Sequence, residues 1–111
     1  MSRRIEQVNS YLVEELNNAL VQEIELPKNV LVTITKAAVS KDLSKAKVYI
    51  SVLPVNQAGS ALKSLNNSKG QLRHYLSKKF TSYRVPDLEF MIDDYNLKQR
   101  QVEREIERDN F

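Results

Sequence analysis

A helical pattern with a flaw in its middle, Ala58 to Phe80 (AGSALKSLNNSKGQLRHYLSKKF), constrains this chain more than any other stretch. Ala58, Ala61, Leu62 and Leu65 recur at the three- and four-residue steps of an amphipathic helix. Leu72, Leu76 and Phe80 continue the stripe in phase. Between the halves lies Asn66-Asn67-Ser68-Lys69-Gly70, where only Lys69 is a good helix former. An unbroken helix would set Lys69 in the buried stripe, and burying an unpaired ammonium is costly. A break at Ser68-Lys69-Gly70 that turns Lys69 outward resolves the conflict, with Gly70 supplying the backbone freedom. The expected element is a helix–kink–helix. Gly70→Ala is expected to cost roughly 1 kcal/mol if that glycine has positive φ.

Upstream, Ile5, Val8, Leu12, Leu16, Ala19 and Leu20 predict an amphipathic helix over 3–24. Glu6, Ser10, Glu14 and Asn17 fall on its wet face, Ser2 is a candidate cap, and Leu26-Pro27-Lys28-Asn29 ends it. Residues 30–40 read as a first strand, Val30, Val32 and Ile34 opposing Leu31, Thr33 and Thr35. Lys41-Asp42-Leu43-Ser44 is turn material. Residues 45–53 form a second strand with Ala46, Val48, Ile50 and Val52 inward and Lys45, Lys47, Tyr49 and Ser51 outward. So short a connection predicts an antiparallel hairpin. After the kinked pair, residues 84–93 read as a third strand, with Pro86 marking an edge position or an entry bend. Beyond Asp94 the chain alternates Glu and Arg, which suits a surface helix or a frayed end.

At 111 residues there is material for one core. The order α-β-β-α-kink-α-β predicts an α+β, two-layer fold: a three-stranded sheet with helices on one face. Residues 1–95 make the expected domain and 96–111 a charged C-terminal helix or tail.

Charge narrows the function. Residues 43–86 hold eight basic side chains and no Asp or Glu, whereas the flanking blocks are net acidic. Such a block points to a polyanionic partner; the plain alternative is a solvated lysine-rich surface. The candidate contacts are Lys45, Lys47, Lys63, Ser68, Lys69, Gly70, Arg73, His74, Lys78, Lys79 and Arg84. Backbone amides freed around Lys69-Gly70-Gln71 would favour phosphate. Tyr49, Tyr75 and Tyr83 are candidates for stacking on bases, or equally for packing at the margins of the fold.

Catalysis finds little support. His74 is the single histidine and falls on an exposed helix face with Lys63 and Lys78. Asp93 and Asp94, as strand neighbours, point to opposite faces. There is no phosphate-binding loop, dinucleotide fingerprint or metal-ligand spacing. With no cysteine, disulfides and thiolate sites are excluded. No apolar run approaches the roughly 20 residues needed to cross a bilayer. The N-terminus lacks the features of a signal peptide, so a cytoplasmic location is expected.

Three segments carry a resemblance: SKDLSKAKVYISV (40–52), NSKGQLRHYLSKKF (67–80) and YRVPDLEFMIDD (83–94), with RRIEQVNSYLVEEL at the place of a first helix. The element order resembles the type II KH domain without its GxxG loop. The segments are similar to the ribosome-binding factor A family. The resemblance implies a KH-like, non-enzymatic protein that binds the bacterial small ribosomal subunit late in assembly, near the decoding region of its RNA, and aids maturation of the RNA 5′ end. It implies a monomer whose partners are that subunit and its ribosomal RNA, with no membrane, cofactor, metal or small-molecule substrate. The family's Ala-x-Gly kink falls on Ser68-Lys69-Gly70, with Ser where Ala is usual. Its Asp-Pro-Arg-like segment corresponds to Leu26-Pro27-Lys28. A general single-strand RNA module and a protein-interaction adaptor using the first helix or the acidic tail are the alternative readings.

Overall fold

The apolar stripe of the first helix becomes α1 (Arg3–Gln22), which buries Val8, Leu12, Leu16, Ala19 and Leu20. The structure, a computed structural model, describes residues 3–81 and 84–93. The candidate cap Ser2, Tyr83 and the charged tail lie outside the described residues. α1 ends two residues earlier than the pattern suggests, and the Glu23 amide closes its last turn on the Ala19 carbonyl at 2.8 Å.

Strands β1 (Leu31–Val39) and β2 (Lys45–Leu53) form the expected antiparallel hairpin, and β3 (Asp87–Ile92) pairs parallel to β2. The order β1-β2-β3 leaves β3 at an edge, in keeping with Pro86 just before it. Inward residues of all three strands face the helices: Val32, Ile34, Val48, Ile50, Leu88 and Phe90 are buried. Among the described residues the fold is therefore α+β, three α-helices on a three-stranded mixed sheet. Leu12, Leu16, Leu65, Leu72 and Leu76 are fully buried between the layers. Each such side chain contributes roughly 2 kcal/mol.

β1 departs from simple alternation. Ile34 pairs with Ile50 and Lys36 with Tyr49, so Thr35 is an extra residue, a bulge. Past it the inward phase moves by one, and Ala37 takes the buried position. α1 covers this free strand edge with two asparagines. Asn17 Nδ2 donates to the Ile34 carbonyl at 3.0 Å and its Oδ1 accepts the Ile34 amide at 2.9 Å. Asn9 Oδ1 accepts the Val39 amide at 2.9 Å. Asn17 is thus half-buried and bonded to the sheet, which corrects its placement on a wet face. Its spacing of eight from Asn9 sets both on one side of the helix.

The hairpin turn is built around Asp42. Ser40 Oγ and Ser44 Oγ each donate to Asp42 Oδ1 at 2.7 Å, and the Ser44 amide adds a third bond at 3.1 Å. These donors favour the charged form and hold the Asp42 carboxyl at about 2, below its ordinary 3.8. Leu43 follows in the left-handed region, at φ 60°. A depressed folded-state pKa means stability that is full above the unfolded value and lost as pH falls toward about 2. Asp42→Asn is therefore expected to be less stable than the parent at neutral pH, with the difference shrinking as both are acidified from pH 4 to about 2. Acid titration of urea midpoints for the two proteins measures this.

The break in the helix pair is narrower than the sequence suggests. α2 (Ala58–Asn67) and α3 (Lys69–Lys79) are separated by Ser68 alone, at φ −101° and ψ 8°. The Ser68 amide is shared by the Ser64 and Leu65 carbonyls, each at 3.1 Å, and the ladder resumes when the Leu72 amide meets the Ser68 carbonyl at 2.9 Å. Ala61, Leu65, Leu72, Leu76 and Phe80 all stay buried, so the kink does keep both halves facing the core. Two expectations need correction. Lys69 is half-buried rather than turned fully outward. Gly70 lies inside α3, neither glycine has positive φ, and a Cβ built there meets nothing within 4 Å. The break does not use glycine's freedom. Gly70→Ala is accordingly expected to raise stability by about 0.5–1 kcal/mol, through helix propensity and a less flexible unfolded chain. A chemical denaturation midpoint that falls on this substitution would contradict that assignment.

Candidate nucleic-acid interface

The acid-free block folds onto two different faces. Lys63 on α2, and Gly70, Arg73, His74, Lys78 and Lys79 on α3, are exposed on the helix layer, with Ser68 and Lys69 half-buried at the kink. Lys45 and Lys47 lie on the open face of the sheet, away from the helices. Arg84 is exposed in the connection before β3. The structure therefore sets the helical candidates on one layer and the two sheet lysines on the opposite face, the two meeting where Asp87 contacts Arg73 and pairs with Lys45.

The sheet lysines also acquire acidic neighbours. Parallel pairing sets Lys45 beside Asp87 and Lys47 beside Glu89. Opposite charges on adjacent rungs of one face largely cancel at a distance. What reads as a basic strand in the sequence is a mixed surface in the fold. Lys45 and Lys47 thus lie on a different face from the helix pair, each with an acid as its ladder neighbour.

The helix layer keeps its charge. Among the described residues Lys63, His74 and Lys78 have no ion-pair partner. Arg73 is engaged: its Nη1 lies 3.0 Å from Asp87 Oδ1. Lys79 Nζ sits 5.6 Å from the centroid of the Tyr75 ring, a cation–π distance. No side chain caps α3 at Ser68, so the amides of its first turn, beside Gly70, precede the first intrahelical bond. Their partial positive charge adds to that of the lysines.

Of the aromatic candidates, Tyr49 and Tyr75 do not supply open stacking platforms. Tyr75 is buried in the α1–α3 seam. Burial first, and then the nearby Glu15 carboxylate, push its hydroxyl above the ordinary tyrosine value. Glu15 is itself buried, and its Oε2 has no hydrogen-bond partner among the described residues. Tyr49 is half-buried on the open sheet face, with Lys36 Nζ 5.6 Å from its ring centroid. Tyr11, which the sequence pattern does not single out, stacks on Phe80 with centroids 5.0 Å apart and donates to the Lys79 carbonyl at 3.2 Å. This contact locks the end of α3 to α1. Its only sequence signal is an aromatic ring next to the apolar stripe of α1.

No group of three His, Asp or Glu among the described residues could hold a metal ion, and no helix there is long and apolar enough to cross a membrane. The surface offers fixed cations and backbone donors. It can bind an anion and orient it.

Comparison with known proteins finds relatives in sequence and in fold. A family model described as ribosome-binding factor A matches residues 4–106. Ribosome-binding factor A of Chlamydia pneumoniae is 36% identical over 105 residues, covering 92% of this chain and 88% of that protein. The crystal structure of ribosome-binding factor A from Thermus thermophilus superposes with a TM-score of 0.70 at 26% identity, covering 79% of this chain and 93% of the other. A homology model of the Thermus thermophilus factor, fitted into the cryo-EM map of a complex with the 30S subunit, superposes at 0.57 with 29% identity, covering 76% and 93%.

Proposed function

The chain belongs to the ribosome-binding factor A family, and from that membership we propose that it is an RNA-binding assembly factor of the small ribosomal subunit. It binds through the outer side of α2 and α3. The observation that carries this reading is the helix layer itself: Lys63, His74 and Lys78 exposed without acidic partners among the described residues, beside the uncapped first turn of α3. Lysines on a rigid helix pair neutralise backbone phosphates at fixed spacing, which supplies affinity without demanding a base sequence. The relative fitted into a 30S complex supports the same partner.

On this reading the protein acts by binding, as a monomer. It holds ribosomal RNA of the immature subunit in a conformation that permits late maturation, including processing of the 5′ end, and leaves when that surface is withdrawn. Ser68 and Lys69 set the angle between the helices, and Gly70 leaves space for a phosphate to approach the amides of α3. Sucrose-gradient sedimentation with purified subunits and joined ribosomes tests the proposal. The protein should travel with free small subunits and be absent from large subunits and joined ribosomes. Equal association with all three would refute an assembly role.

A further inference from the structure

The Arg73–Asp87 contact is the place where the basic helix layer meets the mixed face of the sheet. α3 lies on the helical side, and Asp87 opens the edge strand β3. Arg73 Nη1 reaches Asp87 Oδ1 at 3.0 Å, with side chains 54% and 68% exposed. On the other flank of the same residue, the ladder makes Lys45 the neighbour of Asp87. The strand end is pinned, since the Asp87 amide donates to the Ser44 carbonyl at 2.9 Å and Pro86 is fully buried. Asp87 is thus a carboxylate on a fixed backbone, with one cation bound and a second paired with it across the ladder.

We propose that Asp87 occupies the place of an RNA phosphate on Arg73 and so sets how tightly the protein binds RNA. This rests on the RNA-binding reading above. A guanidinium donates to a carboxylate or to a phosphate through the same N–H groups, so the two anions compete for one donor set. A pair this exposed is weakly held and exchanges readily. A phosphate that displaces Asp87 still meets the released carboxylate nearby, and that repulsion lowers affinity. The acid directly after the acid-free block therefore acts as a built-in brake. It keeps the factor releasable.

The test uses the full chain and a short fluorescent single-stranded RNA, with anisotropy measured over a salt series. Asp87→Asn removes the charge, keeps the side-chain shape and retains the main-chain bond to Ser44. It should bind roughly three- to tenfold more tightly at low salt, with a slope steeper by about 0.7 for the one phosphate gained. The gain should vanish in the Arg73→Gln background, because the brake works through Arg73. Glu89→Gln, which removes an equal charge further along the same strand, should change affinity less than about twofold. Unchanged or weaker binding by Asp87→Asn would overturn the proposal. So would a gain that survives Arg73→Gln or is matched by Glu89→Gln, since either would assign the effect to net charge alone. Lys78→Glu, run alongside, reports on the underlying reading. If it weakens binding while Asp87→Asn gains nothing, only the brake fails; if it has no effect, RNA binding through the helix layer fails.

Discussion

Asn17→Ala is expected to destabilise the fold by roughly 2–3 kcal/mol. The side chain satisfies both the amide and the carbonyl of Ile34 in a partly buried setting, at 2.9 and 3.0 Å. Alanine removes both bonds, and α1 still lies over the strand edge and hinders water from replacing them. Asn9→Ala loses one bond, to the Val39 amide, and should cost about 1 kcal/mol. Urea denaturation of the two variants measures the contrast. A change within about 0.5 kcal/mol for Asn17→Ala would mean that the edge is solvated and that α1 is held by its apolar stripe alone. The clamp also blunts the free edge of β1, so the weaker variant should aggregate more readily.

Reversing Lys63 and Lys78 to glutamate is expected to weaken association with the small subunit by tenfold or more at low salt. The slope of log affinity against log salt should flatten by about one to two units. Both side chains are exposed and without ion-pair partners among the described residues, so the fold should survive the change. The matching reversal of Lys45 and Lys47 should have a smaller effect on the slope, because Asp87 and Glu89 already offset those charges. Had the linear block acted as one surface, the two double variants would behave alike. Equal losses would return the sheet lysines to the binding site.

Alternation in β2 and the stripes of the helices are sufficient to place the main elements, since one-sided burial leaves a period in the sequence. The bulge at Thr35 leaves none: Thr33, Thr35 and Lys36 are all polar enough to face out, and nothing marks the extra residue. Asn17 reads as solvent-facing because a side chain bonded to a strand edge has the same polarity as one bonded to water. Gly70 suggests a special backbone, yet the bend is carried by Ser68, whose φ and ψ any residue can adopt. Tyr75 is hidden by its hydroxyl, which makes a buried ring resemble a surface one.

The candidate site is half readable for a related reason. A run without acids describes a segment of chain, whereas electrostatics depends on what folding brings alongside it. On the helix pair only Arg73 meets an acid among the described residues, Asp87 of β3, and Lys63 and Lys78 have no ion-pair partner there. β2 is paired in parallel with β3, whose Asp87 and Glu89 begin just where the acid-free run stops. A parallel partner joined through a long crossover cannot be registered from local pattern.

The most direct measurement is the salt dependence of binding to free small subunits by the unaltered chain. If roughly three to four phosphates are neutralised by the outer side of α2 and α3, the slope of log affinity against log salt should lie near −2 to −3, at about 0.7 per phosphate. Raising salt fourfold should then cost roughly fifteen- to sixtyfold in affinity. A slope near zero, with affinity retained at high salt, would contradict an RNA contact built from these lysines and would indicate an apolar docking surface in its place.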